Sequence, residues 1–184
     1  VTAKKQNQRR DKQPKRITKQ YLENAALYYL QRYATSAGNF RRVMARKIDR
    51  SCAFHKVVPD EFYPLLDDMI ARYERAGLLN DSGFAEARVA SLRRQGRSKQ
   101  DIFARLQAKG LGKDAIAKAL SGLDSEDAEL EAAQAFARRK KLGPWRKKEL
   151  KDPKDAQKEM AAMARAGYSF ELARKVLGAS IDED

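Results

Sequence analysis

Apolar residues recur along most of the chain at spacings of three and four. Leu22, Ala26, Tyr29 and Tyr33 fall on one face of a helix that starts near Ile17, and Phe40, Val43, Met44 and Ile48 fall on one face of the next. This period of 3.6 marks amphipathic helices whose apolar stripe faces a core, so Tyr29 and Tyr33 read as core. A break is expected at Ser51–Pro59. Phe62, Leu66, Met69 and Tyr73 then make a third stripe, which Gly77 ends.

The pattern restarts. Asp81 or Ser82 can cap a helix that buries Ala85, Val89 and Leu92 and stops at Gly96. Ser98 to Asp101 resembles a capping box and opens a helix burying Ile102, Phe103 and Leu106 up to Gly110; Ile116, Ala119 and Leu120 follow. A third round starts near Ser125 with Leu130, Ala133, Phe136 and Ala137. It breaks at Gly143-Pro144 and resumes at Asp152-Pro153, an N-cap followed by proline at the first helical position. Met160 and Met163 precede Gly167, and Ser169 caps a last helix burying Leu172, Ala173, Val176 and Leu177.

Displaced by 57 residues, the second round superposes on the third. Gly110 falls on Gly167, Leu106 on Met163, Phe103 on Met160, and Ile116, Ala119 and Leu120 on Ala173, Val176 and Leu177. A three-helix unit of this size buries little apolar surface alone, and stacked copies are expected to share a core. The fold class that follows is all-α: an elongated array of three tandem three-helix repeats over residues 17–78, 79–123 and 124–178. A disordered basic arm, 1–16, precedes it, and an acidic tail, 179–184, follows.

Charge sharpens this picture. The net charge is +14, and it is concentrated in four basic blocks, 1–20, 39–56, 86–113 and 138–154, separated by acidic stretches. An excess of this size points to a polyanionic partner such as DNA, RNA, an acidic protein or an anionic surface. Three clusters are the candidate residues for binding such a polyanion. The first is Arg41, Arg42, Arg46 and Lys47; the second is Arg93, Arg94, Arg97 and Lys99. The third is Arg138, Arg139, Lys140, Lys141, Arg146, Lys147 and Lys148 around Trp145. Each can meet DNA phosphates or an acidic protein patch, or can simply be solvated. If the clusters repeat with the units, they form a stripe along one side. Trp145 can stack on a base or pack on the third unit.

The chemistry of catalysis is sparse. Cys52 and His55 are the only cysteine and histidine. A structural zinc site wants four ligands, so the pair reads as loop or packing residues. No disulfide can form within the chain, which fits a reducing compartment. No Gly-rich phosphate loop, secretory signal or apolar span of membrane length is present in the sequence. The expectation is a monomeric protein that is not an enzyme, uses no cofactor or metal and does not insert in a membrane.

The stretch Gly77-Leu78-Leu79-Asn80-Asp81-Ser82-Gly83-Phe84-Ala85 resembles the signature of the RecX family at the start of its second repeat. Gly96-Arg97-Ser98, Ile102, Leu106, Lys109-Gly110 and Ile116 to Leu120 continue the resemblance. Arg138 to Pro144, Arg165 to Ser169 and Val176-Leu177 resemble the third repeat. The likeness spans about residues 20–178, with the basic arm and an extra segment, Asp49–Pro59, outside the pattern. It implies an elongated helical repeat protein of the bacterial cytoplasm. Such a protein binds the RecA filament on single- or double-stranded DNA and usually inhibits its ATPase and strand exchange in recombination and repair. From the residues alone, a stand-alone basic DNA-binding protein is the alternative.

Overall fold

The computed structural model describes residues 13–123, 125–147 and 152–178, and the described residues form an all-α chain. The first unit consists of α1 (Lys19–Leu30), α2 (Ala37–His55) and α3 (Phe62–Arg75). The second consists of α4 (Asp81–Arg94), α5 (Lys99–Ala108) and α6 (Lys113–Leu120), and the third of α7 (Glu126–Lys140), α8 (Pro153–Arg165) and α9 (Phe170–Leu177). The expected acidic tail and the arm as far as residue 12 lie outside the described residues. Residues 14–17, by contrast, are tied to the end of α2. Ser51 Oγ donates to the Lys15 carbonyl and accepts from Ile17 N–H, both at 2.8 Å, and His55 Nε2 lies 2.9 Å from the Pro14 carbonyl.

The predicted stripes are the buried faces. Leu22, Phe40, Met44, Ile48, Leu66 and Met69 form the centre of the first core, with Cys52 beside them. Burial pushes the Cys52 thiol pKa up, as expected for an inert packing cysteine. Ile102, Leu106, Ile116 and Leu120 centre the second core, and Ala133, Phe136, Met163 and Val176 the third. Each Leu, Ile, Val, Phe or Met among them contributes roughly 1.5–3 kcal/mol on burial.

Four expectations need correction. The three cores are separate clusters rather than one shared core. The expected break at Ser51 falls later, because α2 continues to His55 and buries Ser51 and Cys52 in its last turns. Tyr33 is not core: α1 ends at Leu30, so the next step of the stripe is off the helix and the ring is 55% exposed. The cap of α4 is Asn80, whose side chain accepts from Gly83 N–H at 2.9 Å, rather than Asp81 or Ser82.

Asp81 is free to cap a different helix, and this shows how the units join. The second helices run head to tail. Ser36 caps α2 by accepting from Asn39 N–H, and its hydroxyl donates to the Lys109 carbonyl at the end of α5. Ser98 caps α5 by accepting from Asp101 N–H, and its hydroxyl donates at 2.6 Å to the Ala166 carbonyl at the end of α8. A carboxylate from the following unit's first helix completes each junction. Asp81 takes Ala37 N–H at 2.7 Å, and Glu129 takes Lys99 N–H at 3.2 Å. Helix N-termini present free N–H groups and partial positive charge, so both carboxylates sit where they stabilise. The aligned glycines are explained by the same contact. Gly110 and Gly167 end α5 and α8 at φ +81° and +85°, and a Cβ on Gly167 would lie 2.5 Å from Ser98 Oγ.

Candidate interaction surface

The three basic clusters lie near these junctions, and the structure divides each into cations held by the fold and cations left outside. In the first, Arg41 makes a two-pronged pair with Asp67 across to α3, at 2.7 and 3.1 Å. That hydrogen bond holds the Asp67 carboxyl below the usual carboxylate range and raises the Arg41 guanidinium. Both side chains are about half exposed, so solvent leaves the pair little net value. Arg42 Nη2 donates at 2.7 Å to the Ala108 carbonyl at the end of α5, which makes it a junction residue. Arg46 and Lys47 are exposed, with the Lys47 ammonium 6.0 Å from the centre of the Tyr21 ring.

In the second cluster Arg93 is almost enclosed. Its Nη1 donates to Glu129 at 2.6 Å and to the Arg97 carbonyl at 3.0 Å. Glu129 thus neutralises Arg93 while capping α5. Arg97 lies 3.4 Å from Asp101, one helical turn away, and Asp101 also receives Arg105 at 2.8 Å. Arg94 and Lys99 are exposed.

In the third cluster the Arg138 guanidinium lies 5.5 Å over the Trp145 ring, which is half-buried against the third core. The packing alternative for Trp145 is therefore the one seen. Arg139 donates to the Gln95 carbonyl in the α4–α5 turn, which brings the second and third clusters side by side. Arg146 grips Glu159 with Nη2 at 2.9 Å and Nε at 3.3 Å, and Glu159 also accepts from Gly143 N–H. Lys140, Lys141 and Lys147 are exposed, and Lys148 lies outside the described residues.

The structure thus joins two of the three clusters directly, while the first reaches the second unit only at the far end of α5. Arg42, Arg93 and Arg139 link neighbouring units, Arg41, Arg97 and Arg146 pair within their own, and Arg46, Lys47, Arg94, Lys140, Lys141 and Lys147 are exposed. Sequence reading missed Ser36, Ser98, Asp81 and Glu129 as junction residues. The available signal was a serine before α2 and before α5, and a carboxylate near the start of the first helix of the unit that follows each. Among the described residues, no group of three or more His, Cys, Asp or Glu is placed to hold a metal ion, and no helix is long and apolar enough to cross a membrane.

The comparisons with known proteins converge. The family model described as RecX, second three-helix domain, matches residues 80–120, which are α4 to α6. The regulatory protein RecX of Myxococcus xanthus is 39% identical over 173 residues, covering 94% of this chain and 92% of its own. That of Agrobacterium fabrum is 32% identical and covers 89% and 85%. A crystal structure of RecX from Lactobacillus salivarius matches with a TM-score of 0.61 at 17% identity, over 87% of this chain and 94% of the other. Another RecX crystal structure matches with a TM-score of 0.63 at 16% identity, over 88% and 72%. The structural likeness carries the fold at low identity, the sequence likeness carries the kinship, and together they place this chain in the RecX family of regulatory proteins.

Proposed function

We propose that the chain binds along a RecA filament on DNA in the bacterial cytoplasm and restrains its ATPase and strand exchange, without catalysing a reaction itself. The observation that carries this reading is the kinship with RecX regulators over nearly the whole length. The architecture fits it. Three units fixed head to tail can present several modest contacts to neighbouring filament subunits, and contacts on one rigid frame add through effective concentration. The outward cations, Arg46 and Lys47 on the first unit, Arg94 on the second, Lys140, Lys141 and Lys147 on the third, would meet phosphates or acidic subunit surfaces. Binding would then weaken as salt rises.

The test is the single-stranded-DNA-dependent ATPase of the cognate recombinase, titrated with this protein at two salt concentrations and with DNA in excess. Inhibition at or below one protein per recombinase subunit is expected. An unchanged rate alongside demonstrable DNA binding would replace this reading with that of a stand-alone DNA-binding protein.

A further inference from the structure

The first unit leaves two tyrosine rings in solvent. Tyr28 is 60% and Tyr33 55% exposed. The Arg32 guanidinium lies over the Tyr28 ring, 3.6 Å from its centre. Tyr33 lies 5.0 Å from Tyr29, tilted by 40°. Tyr33 and Tyr29 line a cleft of about 430 Å³ at the first junction, across from Phe84, Arg88 and Lys109; no carboxylate is among its lining residues. The cleft is also held rigid. Asn39 Nδ2 donates to Thr35 Oγ1 at 2.9 Å and to the Tyr29 hydroxyl at 3.3 Å, and Ser36 fixes the Lys109 backbone against α2.

Flat aromatic faces flanked by cations are the elements with which proteins hold unpaired nucleotides: bases stack on rings while phosphates meet Arg and Lys. A protein-binding tyrosine, in contrast, is usually an anchor that fills a desolvated apolar pocket with a polar rim. Here Tyr33 stands in an open cleft whose charged lining residues, Arg88 and Lys109, are both cationic, and Tyr28 stands in solvent beside Arg32 outside it. We propose that this cleft and the adjoining exposed face of α1 form a base-stacking subsite for single-stranded nucleic acid, with Tyr33 in the cleft and Tyr28 outside it as the stacking faces and Arg88, Lys109 and Arg32 as phosphate contacts. A duplex keeps its base faces covered and would not use the rings. The subsite is distinct from the three basic clusters and does not depend on the filament reading.

The probe is a fluorescein-labelled oligothymidylate of about 15 nucleotides, a length within one stacking domain's usual range, set beside an abasic strand of equal length. Full-length protein is titrated in each case, without recombinase. The thymidylate strand should bind several-fold more tightly than the abasic one. Tyr33→Ala and Tyr28→Ala should each weaken thymidylate binding by roughly tenfold, the scale of one lost base stack, and leave abasic binding unchanged. Tyr33→Phe should retain the wild-type preference. Both rings are exposed, so the variants should melt as the wild type does. Equal binding of the two strands by the wild type would overturn the proposal. So would alanine variants that bind thymidylate normally, or that lose both strands alike. Variants that bind thymidylate normally but inhibit the recombinase less would reassign the cleft to a protein partner. Failure of the wild type to alter the ATPase bears on the filament reading alone.

Discussion

Gly38 sits in the first turn of α2, in ordinary helical backbone, where alanine is normally the better residue by about 1 kcal/mol. The junction reverses that preference. A Cβ at this position would run into the Gly110 carbonyl oxygen and approach the Gly110 Cα to 3.1 Å. Both obstacles are backbone, and Ser36 fixes them in place through the Lys109 carbonyl. Gly38→Ala should therefore destabilise the protein by about 1–3 kcal/mol, the usual cost of overpacking, despite its gain in helix propensity. Urea denaturation of the two proteins measures it. A stabilised Gly38→Ala would mean that the first and second units do not touch in the way described. Gly38 also illustrates what sequence pattern can and cannot convey. Gly110 and Gly167 were legible as helix stops because a stop is local to the chain. Gly38 carried no such signal, since its reason for being glycine is another unit's backbone, 72 positions away.

The same division holds among the helices. Their existence and buried faces followed from spacing, because a stripe is a property of one segment. Their junctions did not follow. Between the second and third units the glycines that end α5 and α8 lie 57 positions apart, while the N-caps Ser98 and Asp152 lie 54 apart, because α5 has 10 residues and α8 has 13. A single alignment of the units therefore hides one set or the other. Tyr33 went astray for a related reason: the period continued past the point where the helix stopped. The basic clusters were legible as charge, but not as two populations, because an arginine's partner is set by packing. Glu129 shows the consequence. It neutralises Arg93, whose side chain is only 11% exposed, and caps α5 across the second junction. Glu129→Gln keeps the shape and removes the charge. Breaking an enclosed pair costs about 3–5 kcal/mol and an exposed one less than 1. This pair lies between those limits, and a loss of about 2 kcal/mol is expected. Thermal unfolding of Glu129→Gln beside Asp67→Asn checks it, since the exposed Asp67–Arg41 pair should yield a much smaller change.

At the scale of the whole molecule, the proposed binding along a filament would require that the three units keep their relative positions, and the second junction contains a group that makes this depend on pH. Tyr168 is 5% exposed, and its hydroxyl donates at 3.1 Å to the Gly96 carbonyl in the α4–α5 turn. Burial, with the Glu129 charge second, pushes the phenol far above its ordinary pKa, which is about 10 in an unfolded chain. The neutral form is thus favoured by folding. Its contribution is complete below about pH 10 and declines as pH rises from there towards the folded value, because the unfolded chain gives up its proton first. Tyr168→Phe retains the ring and loses both the hydrogen bond and the titration. At neutral pH the variant should be less stable by about 1 kcal/mol, the net value of such a bond. Its melting temperature should then fall less steeply than that of the wild type above pH 10, so that the two curves converge. Parallel curves would mean that the phenol titrates alike in both states and that the second junction is open to water. Convergence, accompanied by weaker recombinase inhibition by Tyr168→Phe at neutral pH, would tie the regulator's effect to the rigidity of its array rather than to any one unit.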